Sequence, residues 1–395
     1  MTASAPLSIL PPLSAEEAEH SALLATFLRE QIAAAGGWID FETFMDLALY
    51  APGLGYYSAG SAKLGRAGDF VTAPEVSDLF SECVARQCAD ILAAMGGGDV
   101  LEFGAGSGRM AAVVLTHLAA LGIEPHRYAI LEVSADLRER QRQRLAALPR
   151  ALGERVCWLE RWPEQPFSGV VLANEVLDAL PCRRFALHAG GVRAIGVQAA
   201  ADGTFMTAER QADAALEAAC RELQEQLPHS LPPEYRSELC LRLEPWIRGA
   251  AACLERAVML LFDYGLPRAQ YYHPQRDDGT LRCHYKHRAH DDPLIHVGVQ
   301  DITAWVDFTR VAEAASAAQL DVLGFATQAA FLLGTGIDAA IGAAGTAPDR
   351  ARLAGEARRL LLPGEMGEAF KVMALARGFD APLAGFVHQD LGGSL

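Results

Sequence analysis

Hydrophobic and polar positions follow two periods along this chain, and together they predict an α/β protein. Before residue 100 the apolar spacing is mostly helical. From there, short apolar runs alternate with helical periods, which predicts βαβ units and a mostly parallel sheet flanked by helices. The predicted helices are 22–35, 41–49, 75–95, 109–121 and 135–147, and the predicted strands are 100–103, 128–132, 155–159, 168–173 and 257–263.

Interruptions of this alternation give the predicted domain organisation. Residues 1–98 form an N-terminal helical extension with a long Gly-rich loop from Gly53 to Asp69, and residues 99–189 and 251–395 form the core. The polar, Ala-rich segment 190–250 is predicted to be a helix-rich insertion that caps the substrate or a partner. The segments 321–327 and 369–375 are predicted to close the sheet as an antiparallel pair.

Composition narrows the class of protein. The 395 residues are 51% hydrophobic and 21% charged, enough to bury a large core, and the net charge of −15 disfavours a nucleic-acid partner. Eight cysteines without a CxxC pair favour a reducing compartment. No secretory or mitochondrial leader is recognised, and no apolar run approaches the roughly 18 residues of a membrane span. We therefore expect a soluble, cytoplasmic protein without membrane insertion.

The first core strand runs into the glycine turn Gly104-Ala-Gly106-Ser-Gly108, and the second strand ends at Glu132. A glycine turn that opens a helix presents bare backbone N–H groups, and a carboxylate at the next strand end can accept bonds from sugar hydroxyls. The pattern predicts a nucleoside-cofactor site. Glycine turns also occur without a ligand, so the turn alone leaves that alternative open.

Spacing identifies the cofactor. A dinucleotide motif places glycines at its first, third and sixth positions, but here the sixth position is Arg109. Glu102 would repel a pyrophosphate and suits an ammonium group instead. We therefore predict S-adenosylmethionine, with Glu102 at its ammonium, Glu132 at its ribose hydroxyls, and Gly104 and Gly106 allowing close backbone approach. A nicotinamide-dependent dehydrogenase is a weaker alternative.

The fourth core strand ends in Asn174-Glu175-Val-Leu-Asp178, where a methyl acceptor would be held. Methylation of a guanidinium needs carboxylates that align it and take up a proton, so Glu175 and Asp178 are the candidate catalytic residues. Asn174 is a candidate cofactor contact at the same strand end. The alternative is that Asp178 caps a following helix and Glu175 is a surface charge.

Three other motifs are interpreted with competing alternatives. Cys182 follows Pro181 as the thiolate nucleophile of cytosine-5 methyltransferases does, but a buried structural thiol is favoured. The run 283–292 contains three histidines without a common zinc spacing, so we predict an ordered polar loop and no metal. The segment 301–308 is compatible with a strand or with a helix capped by Asp301.

These motifs together resemble the MidA family of S-adenosylmethionine-dependent methyltransferases, which is related to a mitochondrial complex I assembly factor that methylates arginine. The resemblance implies a class I methyltransferase (Rossmann-like) fold with a family-specific insertion, and it directs the glycine turn, Glu132 and Asp69 to the cofactor. The segments that carry it are 55–57, 68–77, 102–108, 131–134, 173–181, 263–265 and 279–292.

One position departs from the family pattern, since Trp305 stands where a histidine is usual. Two hypotheses follow: a protein methyltransferase that acts on arginine, or a cofactor-binding assembly module with weak or no activity. The resemblance implies a protein substrate, with a subunit of respiratory complex I as one candidate. A homodimer is an open alternative for the oligomeric state.

Overall fold

The computed structural model describes residues 10–59 and 72–395. The helices in these ranges are α1 (Ala15–Ala34), α2 (Phe41–Tyr50), α3 (Ala73–Val76), α4 (Asp78–Met95), α5 (Arg109–Ala120), α6 (Ala135–Leu145), α7 (Arg150–Gly153), α8 (Ala214–Gln226), α9 (Leu243–Ala252), α10 (Arg268–Tyr271), α11 (Phe308–Ala317), α12 (Gln328–Gly334), α13 (Ile337–Gly342), α14 (Ala347–Leu361) and α15 (Met366–Ala369). The strands are β1 (Ile39–Asp40), β2 (Asp99–Phe103), β3 (Tyr128–Leu131), β4 (Val156–Leu159), β5 (Phe167–Asn174), β6 (Arg183–His188), β7 (Gly191–Ala199), β8 (Phe205–Gln211), β9 (Arg236–Leu239), β10 (Leu254–Leu266), β11 (Arg282–Tyr285), β12 (Arg288–His290), β13 (Asp301–Thr303), β14 (Val306–Asp307), β15 (Asp321–Thr327) and β16 (Phe370–Arg377).

The described residues divide into two compact units. We call residues 72–177, 244–265 and 308–395 the core unit, and residues 10–59, 178–243 and 266–307 the second unit. The division falls between residues 177 and 178, whereas the sequence placed its boundary between 189 and 190. The second unit also takes in residues 266–307, which the sequence assigned to the core.

The core unit is built on one mixed sheet with the strand order β15-β16-β10-β5-β2-β3-β4. Strands β4, β3, β2, β5 and β10 run parallel to one another, and β16 is antiparallel to both β10 and β15. The predicted parallel sheet and the predicted antiparallel closing pair are therefore confirmed. Because β2 lies between β3 and β5, the chain reverses its direction of sheet growth after β4, and such a reversal opens a crevice at the carboxyl ends of the strands.

The central strands are buried on both faces, which is why their sequences are continuous apolar runs rather than alternating ones. Seven of the eight residues of β5 are buried, and helices α4 and α5 pack against one face of the sheet around Val100 and Val170. Helix α4 begins at Asp78 rather than near Glu75 because Ser77 is extended there and caps it. No helix in the described parts of the chain has the length and the apolarity that a membrane crossing requires.

The second unit contains a five-stranded sheet, and this finding corrects the prediction for segment 190–250. Its strand order is β1-β7-β6-β9, with β8 paired to β7. The segment does contain α8 and α9, but β7, β8 and β9 lie in it too. The polar, Ala-rich composition of the segment suggested helix throughout, yet β7 has cross-strand partners on both sides, and these decide its conformation.

The His-containing run is also more regular than predicted. It forms the antiparallel hairpin of β11 and β12, and Lys286 and His287 make the turn with positive φ angles of 45° and 60°. The expectation of a polar loop was wrong because the alternation of buried Cys283 and Tyr285 specifies a strand. In the segment 301–308, Asp301 begins β13 rather than capping a helix, and α11 begins only at Phe308.

Candidate functional site

Three polar residues and one glycine lie at one edge of the core sheet, at or near the carboxyl ends of four adjacent strands. Gly104 follows β2, Glu132 follows β3, Asn174 ends β5, and Asp263 lies near the end of β10. Since β3, β2, β5 and β10 are neighbours and run parallel, their carboxyl ends meet at this edge. The structure thus brings together the predicted residues Gly104, Glu132 and Asn174 on the core unit.

The glycine turn adopts a backbone that other residues rarely take. Gly104, Gly106 and Gly108 have φ angles of 62°, 53° and 77°. A Cβ at Gly108 would stand 3.3 Å from the Cα of Gln141, so both the positive φ angle and the tight packing favour glycine here. Gly108 is the N-cap of the twelve-residue helix α5, and the N–H of Arg109, the first residue of α5, donates to the Ser107 hydroxyl at 3.3 Å. Without Cβ atoms at the three glycines, the backbone of the turn can approach a ligand closely.

Glu132 is held in place by two donors, one on each oxygen. The Ser134 N–H donates to Oε1 at 3.0 Å, and the Gln141 Nε2 donates to Oε2 at 3.1 Å. Burial raises the pKa of Glu132, and both hydrogen bonds oppose that shift. A carboxylate offers about four acceptor sites, so the side chain can still receive two ribose hydroxyls.

Gln141 is a site residue that the sequence analysis missed. Its Nε2 also donates to the Gly106 carbonyl at 3.0 Å, and its Oε1 accepts a bond from Trp158 Nε1 at 3.0 Å. The fully buried amide on α6 thus joins the glycine turn to the strand-end acid. No sequence signal identified it, because its partners lie 9 to 35 residues away.

Glu102 lies deeper than the sequence analysis assumed. It is a residue of β2 rather than of the turn, its exposed fraction is 1%, and its Oε2 accepts a 2.6 Å bond from the Tyr128 hydroxyl. Burial raises the pKa of Glu102 to about 7, while the Tyr128 bond lowers it and Glu132 raises it further. The role of Glu102 at the cofactor ammonium stays a prediction.

The carboxyl end of β5, at Asn174 and Glu175, contains a buried oxygen that lacks a hydrogen bond within the described residues. The Asn174 Nδ2 donates to Glu175 Oε1 at 3.1 Å, but its buried Oδ1 has no hydrogen-bond partner among the described residues. Glu175 has a φ of 54°, a conformation that is uncommon outside glycine, and its N–H donates to the Phe262 carbonyl. A buried acceptor without a partner, next to a residue with a strained backbone, is typical of a strand end that binds a polar ligand.

Asp263 shapes the loop that follows β5. It is 1% exposed, and it accepts bonds from the Leu177 N–H at 2.8 Å and the Tyr264 N–H at 2.9 Å. The sequence motif around Asp263 had suggested no role for it. The bond to Leu177 crosses 86 residues of sequence, so only the folded sheet reveals it.

Asp178 belongs to the second unit, where it is 3% exposed. It does not cap a helix, because the next regular element is β6 at Arg183. Its carbonyl accepts a 3.0 Å bond from the Ala304 N–H. The helix-cap alternative from the sequence is therefore excluded, and the acceptor role stays a prediction.

A further contact braces the glycine turn. The Ser107 hydroxyl donates to the Glu75 carboxylate, and Arg109 Nη1 donates to the Glu75 carbonyl at 2.8 Å. These bonds join the start of α5 to the segment that follows the predicted Gly-Asp-Phe loop. Asp69, the predicted cofactor contact in that loop, lies outside the described residues.

Two alternatives from the sequence can now be assessed within the second unit. Cys182 is fully buried, and burial raises its thiol pKa well above the usual value, which is the environment of a structural thiol rather than a thiolate nucleophile. The Trp305 ring carries the chain's own Arg276 guanidinium, 5.2 Å from the ring centroid. Within the described residues, no group of three or more His, Cys, Asp or Glu side chains is arranged to hold a metal.

Known proteins that are similar to this chain belong to one class of enzyme. The sequence profile of S-adenosyl-L-methionine-dependent methyltransferases matches residues 83–326. A protein arginine methyltransferase NDUFAF7 homolog, mitochondrial, from Drosophila melanogaster is 32% identical, covering 76% of this chain and 73% of its own. The Danio rerio protein arginine methyltransferase NDUFAF7, mitochondrial, is 28% identical over 86% and 84%. A Burkholderia thailandensis protein crystallised with S-adenosyl-homocysteine is 43% identical with a TM-score of 0.92, covering 98% of this chain and 100% of its own.

These relatives confirm the fold and the cofactor and correct one prediction. The class I methyltransferase fold and S-adenosylmethionine as cofactor are confirmed, and the glycine turn, the spare acceptor sites of Glu132 and the orphaned Asn174 oxygen suit that cofactor. The predicted cytoplasmic location is contradicted, since the curated relatives are named as mitochondrial proteins. That prediction rested partly on unpaired cysteines, which are compatible with any reducing compartment.

Proposed function

We propose that this chain, which belongs to the family of S-adenosyl-L-methionine-dependent methyltransferases, transfers the methyl group to an arginine side chain of a protein substrate. Membership confirms the family resemblance seen in the sequence and supports methyl transfer as the chemistry. The choice of arginine is supported by the names of the curated relatives, which are protein arginine methyltransferases. A respiratory complex I subunit is the candidate substrate that the resemblance suggests.

The observation that carries the acceptor assignment is the backbone of Glu175. It adopts the left-handed conformation at the carboxyl end of β5, where a glycine would be less strained. Strain of this kind costs about 1–3 kcal/mol and persists at functional sites where the surrounding structure enforces it. We therefore assign Glu175 as the carboxylate that receives the acceptor, with Asp178 in support.

When bound, the cofactor supplies an electrophilic methyl group on its sulfonium. The protein's own residues bind the cofactor, orient the substrate and take up a proton. Glu132, anchored by Gln141 and Ser134, holds the ribose, and the glycine turn allows the backbone to approach closely. Glu175 orients the guanidinium, so that a nitrogen lone pair points at the methyl carbon, and takes up the proton that this nitrogen loses. Holding nitrogen and methyl in line is the main catalytic contribution we assign to the protein.

Transfer of labelled methyl groups tests this proposal. The purified protein and methyl-labelled cofactor are added to a lysate of source cells that lack the gene, and the hydrolysed protein is analysed for methylated amino acids. We expect label in methylarginine, and Glu175→Gln to lower the rate by roughly 100-fold or more, because a positioned acid or base contributes that much. Cofactor affinity, measured by calorimetry, should stay within about twofold if Glu175 acts on the acceptor, since such a change is under about 0.5 kcal/mol.

Glu164→Gln is the matched control, because Glu164 is an exposed carboxylate of the same unit and pairs with nearby Arg161. Its rate should equal that of the wild type. Label in lysine or another residue would contradict the arginine assignment. An unchanged rate in Glu175→Gln would remove Glu175 from the mechanism.

One observation favours a second candidate function. The Trp305 ring, a surface able to stack on a substrate guanidinium, is already covered by Arg276 of the same chain. A cofactor-binding assembly module without transferase activity would tolerate that arrangement. In the same assay, cofactor binding without any labelled protein would favour this alternative.

A further inference from the structure

Two tyrosines without an assigned role lie beside Asp178 in the second unit. Tyr50 ends α2, and its ring stacks on that of Tyr57 with centroids 5.5 Å apart and an interplanar angle of 22°. The Tyr50 hydroxyl donates to the Ala179 carbonyl at 2.9 Å. The tyrosine pair therefore holds the backbone immediately after Asp178.

The end of β13 holds the same stretch of backbone. The Ala304 N–H donates to the Asp178 carbonyl at 3.0 Å, and β13 begins with Asp301, whose exposed fraction is 1%. The Tyr57 hydroxyl donates to Asp301 Oδ1 at 3.0 Å. Tyr57 thus connects the two supports of the Asp178–Ala179 peptide.

The environment of Tyr57 keeps its hydroxyl a donor. Burial raises the pKa of Tyr57 well above its usual value, Asp301 is the next largest cause, and Asp178 is among the smaller ones. A hydroxyl with a raised pKa beside a carboxylate stays protonated at neutral pH. Tyr57 can therefore position other groups by donating, but it does not serve as a base.

We propose that Tyr57 is a positioning residue for methyl transfer, whose bond to Asp301 fixes the loop that carries Asp178. This inference rests on the proposed role of Asp178 at the acceptor. A bond between a hydroxyl and a buried carboxylate is stronger than one between neutral groups, so its removal should loosen the loop measurably.

Hydrogen exchange followed by mass spectrometry tests the structural half. In Tyr57→Phe, peptides covering 178–182 and 301–305 should exchange roughly tenfold faster, the size expected for losing one bond to a charged group. Asp301→Leu, which is similar in shape but has no acceptor for the Tyr57 hydroxyl, should give the same pattern. Equal exchange in these variants and the wild type would overturn the proposal, whether or not the protein is active.

Tyr285→Phe is a stringent control for this measurement. The Tyr285 hydroxyl donates to the Glu17 carboxylate at 3.0 Å, so the substitution removes a comparable bond from the same unit. Its strand β11 even pairs with β13. We expect no change in the two peptides, and a change equal to that of Tyr57→Phe would overturn the specific role of Tyr57.

A double-mutant cycle tests the catalytic half with the labelled-methyl assay. Tyr57→Phe should lower kcat roughly tenfold with an unchanged KM for the cofactor, and it should add nothing in an Asp178→Asn background, because the two residues act as a unit. Fully additive losses, or a raised KM for the cofactor, would indicate a general structural role and overturn the proposal. If Asp178→Asn itself is fully active, the acceptor role of Asp178 fails while the exchange result still decides whether Tyr57 holds the loop.

Discussion

Gln141 shows how much of the cofactor site depends on a residue without charge. Its Nε2 joins the Gly106 carbonyl to Glu132, and the bond to Glu132 is buried while the bond to Gly106 is partly buried. Replacing it removes the donor to a carboxylate that is itself buried, and such a loss costs about 1–3 kcal/mol. The glycine turn and the strand-end acid therefore share one support, the amide of Gln141.

We predict that Gln141→Leu weakens S-adenosyl-homocysteine binding roughly tenfold or more, because Glu132 and the glycine turn lose their common support. Isothermal calorimetry measures the dissociation constant. Gln143→Leu is the matched control on the same helix, since the Gln143 amide donates to exposed Glu139 on the surface of the helix. Equal affinities in the two variants would show that Gln141 is not needed for the site.

Glu102 predicts a pH dependence of the stability of the cofactor-free protein. Its folded-state pKa of about 7 lies above the usual 4.5, so between these values the folded protein binds the extra proton. Stability from this group is therefore present at low pH and is lost as the pH rises towards 7. The loss is at most about 3 kcal/mol, from 1.36 kcal/mol for each pKa unit.

Denaturant unfolding of the wild type and Glu102→Gln at several pH values tests this prediction. The variant lacks the titrating group but can accept the Tyr128 bond, so the difference between the two proteins isolates Glu102 from the other carboxylates. We expect the wild type to lose stability relative to the variant between pH 5 and pH 8. A constant difference would show that Glu102 titrates normally.

The elements around the glycine turn are the part of the fold that the sequence specifies best. The bounds of β2, α5 and β3 agree with the predicted ones to within one residue, because a buried strand, a glycine turn and an amphipathic helix each leave a local signal. The Ala-rich, polar composition of the segment 190–250 was misleading, since strand β7 within it takes its conformation from its partners β6 and β8. Local periodicity therefore predicts the core sheet better than the second unit.

The residues of the candidate site also divide into those that local sequence patterns predict and those that depend on distant partners. Glu132 and the glycine turn could be predicted because each directly follows an apolar run that reads as a strand in the sequence. Gln141 and the anchoring role of Asp263 could not, because each acts through partners that are distant in sequence. The depth of Glu102 also escaped prediction, since a single acid in an apolar strand does not reveal which side of the sheet it faces.

The glycine turn predicts a difference between two left-handed glycines. Gly108 and Gly96 have φ angles of 77° and 80°, but a Cβ at Gly108 would meet Gln141 at 3.3 Å, whereas a Cβ at Gly96 would meet no other residue in the described parts of the chain within 4 Å. Replacing either glycine by alanine should lower the free energy of unfolding by about 1 kcal/mol because of backbone strain. Only Gly108→Ala should also weaken S-adenosyl-homocysteine binding in calorimetry. Equal affinities for the two variants would contradict the packing role of Gly108.

On the scale of the whole molecule, the relatives extend what the elements show. A protein bound to S-adenosyl-homocysteine matches 98% of the chain with a TM-score of 0.92, so both units belong to the conserved architecture rather than the core sheet alone. The net charge of −15 fits a partner other than nucleic acid. A polypeptide substrate is the corresponding proposal for the whole molecule.

The central claim is that the methyl group reaches protein arginine, and quantitative mass spectrometry of arginine methylation in source cells tests it most directly. Cells with the gene, without it, and complemented with the wild type or Glu175→Gln are compared. We predict one or a few arginine sites whose methylation disappears without the gene, returns with the wild type, and does not return with Glu175→Gln. Arginine methylation that is identical in all four cell lines would contradict the account.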